Sequence, residues 1–182
     1  MVKGLGIGAF AVAALLCAPA AAAQKKKPPP PPPVVLSGTV SRIVDGDTLW
    51  LRTEGDAAPV VVRIDGIDAP EPCQAGGAEA TAALNALALG RNVSVRVVTH
   101  DVFGRTVGKV LDGEKDVGDR LVRDGQAWSQ RYKFDRGPYM AEERMAVALH
   151  RGVHADGAAI LPREFRKQHG PCEGAARKAP AQ

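Results

Sequence analysis

Several residue types are scarce in this chain of 182 residues. Aromatic residues make up only 4%, so we expect a modest core built from Val, Leu, Ala and Ile. The three cysteines and four histidines form no group with zinc-ligand spacing, which argues against a zinc site. The chain has no internal repeat, and its length predicts one domain with extensions.

An excess of charge is also missing from the central part of the chain. The whole chain has a net charge of +4, yet residues 35–170 contain 18 Lys and Arg against 19 Asp and Glu. Nucleic-acid binding therefore cannot be argued from bulk charge. It would need a local arrangement of cations, with or without a metal.

The N-terminal residues 1–23 have the three-part pattern of a secretory signal peptide: an early lysine, an apolar run and small residues ending at Ala23. We expect cleavage after Ala23 and an exported protein, periplasmic or secreted, with no membrane attachment afterwards. An uncleaved anchor is the alternative, since three lysines follow; a lipoprotein attached through Cys17 is disfavoured by the large Leu16 before it. Residues 24–34, rich in Lys and Pro, predict a semi-rigid linker.

Short strand patterns alternate with helical ones in the remaining chain. Strands are predicted at 34–44, 47–53, 59–67, 92–100 and 103–111, and helices at 76–90, 116–125 and 137–152. This order suits a mainly β member of the α+β class: a five-stranded oligonucleotide-binding (OB) fold barrel with about three packed helices. We place the domain at 35–160 and a C-terminal extension at 161–182.

Two cysteines, Cys73 and Cys172, remain after the predicted leader. An even count in an exported protein favours a disulfide, with two free thiols as the alternative. A disulfide would tie the extension to the loop after Glu71 and would stabilise the fold by about 2–5 kcal/mol.

Two acidic clusters follow predicted strands. Asp45 and Asp47 flank a glycine in the turn "VDGDT", and "DAPE" runs from Asp68 to Glu71. In a curled sheet Asp47 and Asp68 could converge. Convergent carboxylates repel each other unless a cation neutralises them, and a site with only oxygen ligands suits Ca²⁺ or Mg²⁺. Taken singly, Asp45 is more often a turn residue and Glu71 a solvated loop acid.

Two arginines complete a candidate site. Arg63 lies among Val and Ile in the third strand, and Arg105 follows a glycine at the start of the fifth. A buried guanidinium needs an anion, and Arg holds phosphate bidentately. With Glu71 as a candidate general base, these are the parts of metal-assisted phosphodiester hydrolysis, although each arginine alone is more often a surface cation.

Four segments resemble, in order and spacing, the motifs of the staphylococcal nuclease (thermonuclease-like) family. They are "IVDGDTLWL", "VRIDGIDAPE", "DVFGRTVGKV" and "LVRDGQAW". The resemblance covers roughly residues 37–155. It implies an OB-fold barrel that hydrolyses DNA and RNA with Ca²⁺ at low sequence specificity, leaving 3′-phosphate ends.

The resemblance also implies roles for individual residues. Asp47 and Asp68 would be carboxylate ligands of the metal, and Ala69, where the family usually has Thr, would give its backbone carbonyl. Asp45 would lie just behind these ligands. The ion is expected to be Ca²⁺, with Mg²⁺ and Mn²⁺ as alternatives.

The catalytic roles implied by the resemblance fall on three residues. Glu71 would position or deprotonate the attacking water, and Arg63 and Arg105 would grip the phosphate. A catalytically silent OB module that binds nucleic acid or a protein is the alternative. Loss of one of these three residues would be its signature, and all three are present. We expect a monomer without a stable protein partner.

The departures from the family pattern concern nucleotide binding. Phe103 stands where the family has a tyrosine, and Tyr132 and Phe134 are loose counterparts of other pocket tyrosines. Trp128 is expected to pack in the core. The segment "ILPREFRKQHG" is expected to be a solvated cap, with contact between its cations and nucleic acid as the alternative.

Overall fold

The computed structural model describes residues 32–55 and 58–172. The predicted signal peptide, nearly all of the linker, and residues 173–182 lie outside the described residues. The described residues form one compact unit. In the described ranges, no helix combines the length and the apolar character needed to cross a membrane.

The described residues form eight strands and four α-helices. The strands are β1 (Val35–Asp45), β2 (Thr48–Thr53), β3 (Val60–Ile64), β4 (Ile67–Asp68), β5 (Asn92–His100), β6 (Thr106–Asp112), β7 (Lys115–Asp116) and β8 (Trp128–Ser129). The helices are α1 (Gly77–Ala88), α2 (Val117–Arg123), α3 (Met140–Ala148) and α4 (Pro162–His169), with a 3₁₀ turn at Gly152–His154.

Five strands close into a barrel. The antiparallel order is β3-β2-β1-β5-β6, and β3 also pairs with β6 in parallel, with Val62 opposite Thr106. Two register shifts in the β1–β2 pairing, the second between Ile43 and Asp45, mark bulges that bend the long first strand. The predicted five-stranded OB-fold barrel of the α+β class is confirmed.

Aliphatic side chains fill the barrel, as the composition predicts. Leu49, Leu51, Val62, Ile64, Val95 and Val110 are buried in one cluster with Ala80, Leu84 and Ala88 of α1. Helix α1 therefore closes the barrel with small and branched residues spaced along one face. Trp128 is buried, in agreement with the expected core role.

The structure differs from the sequence prediction mainly at its C-terminal side. The segment expected to be a solvated cap contains α4, which Pro162 begins and which ends with basic residues that suit the helix dipole. Helix α3 is shorter than predicted, since it starts at Met140. The two-residue pair β4–β8 is too short to leave a periodic sequence pattern.

Candidate active site

The β1–β2 turn carries the first acidic cluster. The Asp45 carboxylate accepts a hydrogen bond from the Asp47 backbone N–H at 3.1 Å, which braces the turn. A Cβ on Gly46 would lie 2.7 Å from the Cβ atoms of both Ala69 and Ala80. Gly46 is therefore required by a close approach, which brings the turn against the loop that carries the second acidic cluster.

Asp47 is the central acceptor of the cluster and is only 4% exposed. One of its oxygens accepts from the Thr48 hydroxyl at 3.0 Å and forms an ion pair with Arg63. The other accepts the backbone N–H of Ala69 at 3.0 Å. Asp47 thus joins two strands and the loop after β4.

Arg63 bridges the two predicted metal ligands. Besides Asp47, its Nη2 donates to Asp68 Oδ1 at 3.2 Å and to the carbonyl oxygen of Ile67 at 3.2 Å. β3 places Arg63 opposite Thr48, directly beside Asp47. The expected convergence of Asp47 and Asp68 is therefore present, with a guanidinium between them.

Glu71 lies beside this cluster and is 5% exposed. Its backbone N–H donates to the side chain of Gln74 at 3.1 Å. Its Oε1 accepts from Nη1 of Arg166 in α4 at 2.6 Å, and the same nitrogen lies 3.5 Å from Asp68 Oδ1. The predicted general base therefore contacts a cation, Arg166, that lies 95 residues later in the chain.

Sequence reasoning missed Arg166, which it assigned to a solvated cap. The available signal was the cysteine pair, because Glu71 lies two residues before Cys73 and Arg166 six residues before Cys172. The structure joins these cysteines in a disulfide with a Cα–Cα distance of 5.7 Å. The cysteine pair would therefore have placed the extension near Glu71, without showing which of its cations makes the contact.

The acids and Arg63 surround a small cavity of about 10 Å³, close to the volume that holds one water molecule. Its lining residues are Asp45, Asp47, Arg63, Ala69, Pro70, Glu71 and Pro72. The two prolines stiffen this wall. The cavity is polar and brings both acidic clusters to one point.

Burial dominates the electrostatics of the acids. Burial and the neighbouring Asp47 raise the pKa of Asp45 to about 7. Burial also raises the pKa of Asp68, with Asp47 adding to the rise and Arg63 opposing it. Burial acts in the same direction on Asp47, but Arg63 and the Ala69 N–H outweigh it and hold the pKa of Asp47 below its usual range.

The donor set fits a hard divalent cation. Four carboxylates face the two guanidinium groups of Arg63 and Arg166, which leaves a charge of −2 when all four acids are ionised. All available donors are oxygens, as Ca²⁺ and Mg²⁺ prefer. In the part of the chain that is described, no three His, Cys, Asp or Glu side chains form a metal-binding group, so the fit rests on Asp47, Asp68 and backbone oxygen.

Arg105 is held apart from the acidic cluster in the described contacts. Its Nε donates to Asp101 at 2.7 Å, and its guanidinium lies 5.6 Å from the ring centre of Phe103. It precedes Thr106, the residue that pairs with Val62. Arg105 thus borders the barrel seam that contains Arg63, while its side chain is bound locally.

The three aromatic residues that are loose counterparts of the family's nucleotide-pocket tyrosines lie on the surface. Phe103, Tyr132 and Phe134 are exposed, and Phe134 fully so. Exposed rings on loops are suited to stacking on bases. Their exposure to solvent distinguishes these three rings from the rings of Trp128 and Tyr139, which are buried.

Fold and site together define a class: an OB-fold α+β protein with a buried cluster of acids and arginines beside its first hairpin. The sequence profile described as "Staphylococcal nuclease homologue" matches residues 61–151, half of the chain. The chain belongs to the staphylococcal nuclease homologue family. The matched range contains Arg63, Asp68 and Glu71 but starts after Asp47 and ends before Arg166.

Individual relatives agree with this assignment. A Haemophilus influenzae protein named "Uncharacterized endonuclease" is 32% identical over 71% of this chain and 72% of its own length. A protein of the same name from Escherichia coli O157:H7 is 37% identical over 70% and 82%. A rice protein named "Probable staphylococcal-like nuclease CAN2" is 35% identical over 58% of this chain and 29% of its own length. These relatives support a nuclease function.

Proposed function

We propose that the protein is a divalent-metal-dependent nuclease that hydrolyses phosphodiester bonds of DNA, RNA or both with low sequence specificity. The observation that carries the proposal is the convergence of Asp47 and Asp68 on Arg63, with Asp47, Arg63 and Glu71 lining one small cavity. The nuclease and endonuclease names of the relatives support the same reaction.

The proposed ion is Ca²⁺, with Mg²⁺ and Mn²⁺ as alternatives. Asp47, Asp68 and the backbone carbonyl of Ala69 would hold it. The raised pKa of Asp45 favours the neutral form of its carboxyl group, which suits a position behind the ligands. When bound, the ion supplies Lewis-acid polarisation of the phosphate and stabilises the charge that develops on it.

The protein's own residues provide the remaining chemistry. Glu71 accepts a proton from a water molecule whose oxygen forms a bond to phosphorus. The bond from phosphorus to the 5′-oxygen breaks, and the leaving oxygen takes a proton from solvent. Arg63 and Arg105 bind the non-bridging phosphate oxygens, and Arg105 leaves Asp101 to do so.

We further propose that the protein acts outside the cytosol. The signal-peptide pattern of residues 1–23 supports export. The Cys73–Cys172 disulfide supports an oxidising compartment, because glutathione and thioredoxin keep cytosolic thiols reduced. Mass spectrometry of the mature chain tests the expected N-terminus after Ala23.

Digestion of plasmid and single-stranded DNA and RNA, with Ca²⁺ or with a chelator, tests the function. Hydrolysis should require the ion. Glu71→Gln should lower kcat by roughly 10²–10⁴-fold, the usual contribution of a general base. Arg105→Ala should also abolish most activity.

Two exposed residues give matched controls. Glu114→Gln and Arg96→Ala make the same chemical changes away from the cavity and should leave activity unchanged. Full activity of folded Glu71→Gln or Arg105→Ala would contradict the assignment. Binding of nucleic acid without hydrolysis would instead favour the silent OB module.

A further inference from the structure

The C-terminal helix α4 contributes a side chain to the candidate active site. Nη1 of Arg166 lies 2.6 Å from Glu71 Oε1 and 3.5 Å from Asp68 Oδ1. Both acids belong to the proposed machinery, whereas Arg166 lies beyond the segment that matches the family profile, residues 61–151. The contact therefore reaches the site from outside the matched segment.

Helix α4 is attached to the Glu71 loop on both sides of Arg166. Before the helix, the side chain of Gln74 donates to the carbonyl oxygen of Ile160 at 2.8 Å. After it, Cys172 is bonded to Cys73. Both anchors on the loop lie within three residues of Glu71, so they fix the position of α4 relative to this carboxylate.

The burial of Glu71 makes the contact important. At 5% exposure a carboxylate has lost most of its hydration, and a charged group in that state needs a nearby cation and hydrogen bonds. Arg166 supplies a charge-assisted hydrogen bond to Oε1 of this carboxylate. The orientation of the carboxyl group is thereby restricted.

We propose that Arg166 is a positioning residue for Glu71 and that the Cys73–Cys172 bond holds it in place, so that the C-terminal extension completes the active site. The inference rests on the proposed nuclease function. Arg166 acts through Glu71, and a misplaced catalytic group about 1 Å from its productive position loses on the order of 100-fold in rate.

Kinetics with Ca²⁺ and a plasmid substrate test this role. Arg166→Ala should lower kcat by about 10- to 100-fold with KM nearly unchanged, because the lost interaction orients the base rather than binding nucleic acid. Arg166→Lys should recover part of kcat. Arg163→Ala removes an exposed cation from the same helix and should leave kcat and KM as in the native protein.

The disulfide is tested separately. Cys73→Ser with Cys172→Ser should lower kcat to a similar extent, and adding Arg166→Ala should cause little further loss, because both changes release the same contact. Assays are made at a temperature where circular dichroism shows every variant folded. Full additivity of the two losses would overturn the role of the disulfide.

A measurement without metal or substrate provides a second readout. Amide hydrogen exchange at Glu71, Cys73 and Gln74 should be faster in Arg166→Ala than in Arg163→Ala, while exchange in β5 stays the same. Equal exchange and equal kcat in these two variants would overturn the inference. So would a rise in kcat in Arg166→Ala, which would make Arg166 an inhibitory contact.

The same experiment separates the two proposals. A native protein without metal-dependent hydrolysis would refute the nuclease function and the positioning role with it. A native protein that is active, with Arg166→Ala indistinguishable from Arg163→Ala, would refute the positioning role alone.

Discussion

The backbone N–H of Ala69 donates to Oδ2 of Asp47 at 3.0 Å, across 22 residues of the chain. This bond ties the first acidic cluster to the second. Asp47 is therefore both a structural acceptor and a proposed metal ligand. A substitution that keeps its shape but removes its charge separates the two roles.

Asp47→Asn should remove calcium binding while keeping the fold. The amide oxygen still accepts one hydrogen bond, but the negative charge that attracts the ion is lost. Saturating Ca²⁺ should stabilise the native protein, by about 2.7 kcal/mol at 100 times Kd, and should leave the variant nearly unaffected. Thermal melting with and without Ca²⁺ measures this difference.

Asp112→Asn is the matched control for Asp47→Asn. Asp112 pairs with Arg91 at 2.9 Å on the partly exposed end of β6. Its variant should keep the native response to Ca²⁺. If Ca²⁺ stabilises Asp47→Asn as much as the native protein, Asp47 is not a ligand.

Gly46→Ala should destabilise the protein by about 1–3 kcal/mol, since the new methyl group would overlap Ala69 and Ala80. Urea unfolding gives the change. Ala80→Gly in the same chain should recover part of the loss by removing one of the two overlaps. An additive double variant would show that the contact with Ala80 is not the cause.

Glu143→Ala should destabilise the protein by about 1–3 kcal/mol, because the carboxylate accepts the Ser129 backbone N–H at 2.9 Å and pairs with Arg131. Ser129 belongs to β8, the partner of the strand that carries Asp68. Glu142→Ala, which removes a 4.0 Å ion pair to Arg123, is the control and should change stability by less than about 0.5 kcal/mol. Equal effects in urea unfolding would contradict the prediction.

His154 should make the protein less stable as pH falls. Burial lowers its pKa; Glu143 opposes this effect and Arg131 adds to it. The buried Nε2 has no hydrogen-bond partner within the described residues. The unfolded chain therefore binds the proton more readily, so stability is present above the unfolded pKa near 6.5 and is lost as pH falls below it.

The comparison of His154→Gln with the native protein isolates this effect. Urea unfolding between pH 5 and 7.5 should show a shallower loss of stability on acidification in the variant. The difference between the two curves removes the contribution of Asp45, whose raised pKa acts in the opposite direction. His100→Gln, an exposed control, should reproduce the native curve. Parallel native and His154→Gln curves would refute the prediction.

Local sequence patterns were sufficient to predict the barrel and the part of the candidate site that Asp47 and Asp68 form. The pattern in "NVSVRVVTH" predicted β5 with its observed bounds, and the Asp-Gly turn predicted the first hairpin. The convergence of Asp47 and Asp68 followed from strand order, because the turn and the end of the third strand meet in a closed meander. These features depend on residues close in sequence or on one sheet.

The C-terminal part of the site depends on contacts that leave no local pattern. Arg163 and Arg166 are alike in sequence, and only the packing of α4 determines which one reaches Glu71. The ion pair between Arg105 and Asp101 also could not be predicted. The sequence does not distinguish Asp101 from another loop acid at the same spacing as the partner of Arg105.

The parallel pairing of β3 with β6 also affects how the chain reaches its fold. Until β6 docks, the valine-rich β3 (Val60–Ile64) has one unpaired edge. Such an edge is a template for association with other chains, and only the charge of Arg63 interrupts its apolar sequence. Its partner β6 lies some forty residues later in the chain. The entropy cost of closing this long loop slows the pairing of β3 with β6. Aggregation during refolding should therefore begin at β3.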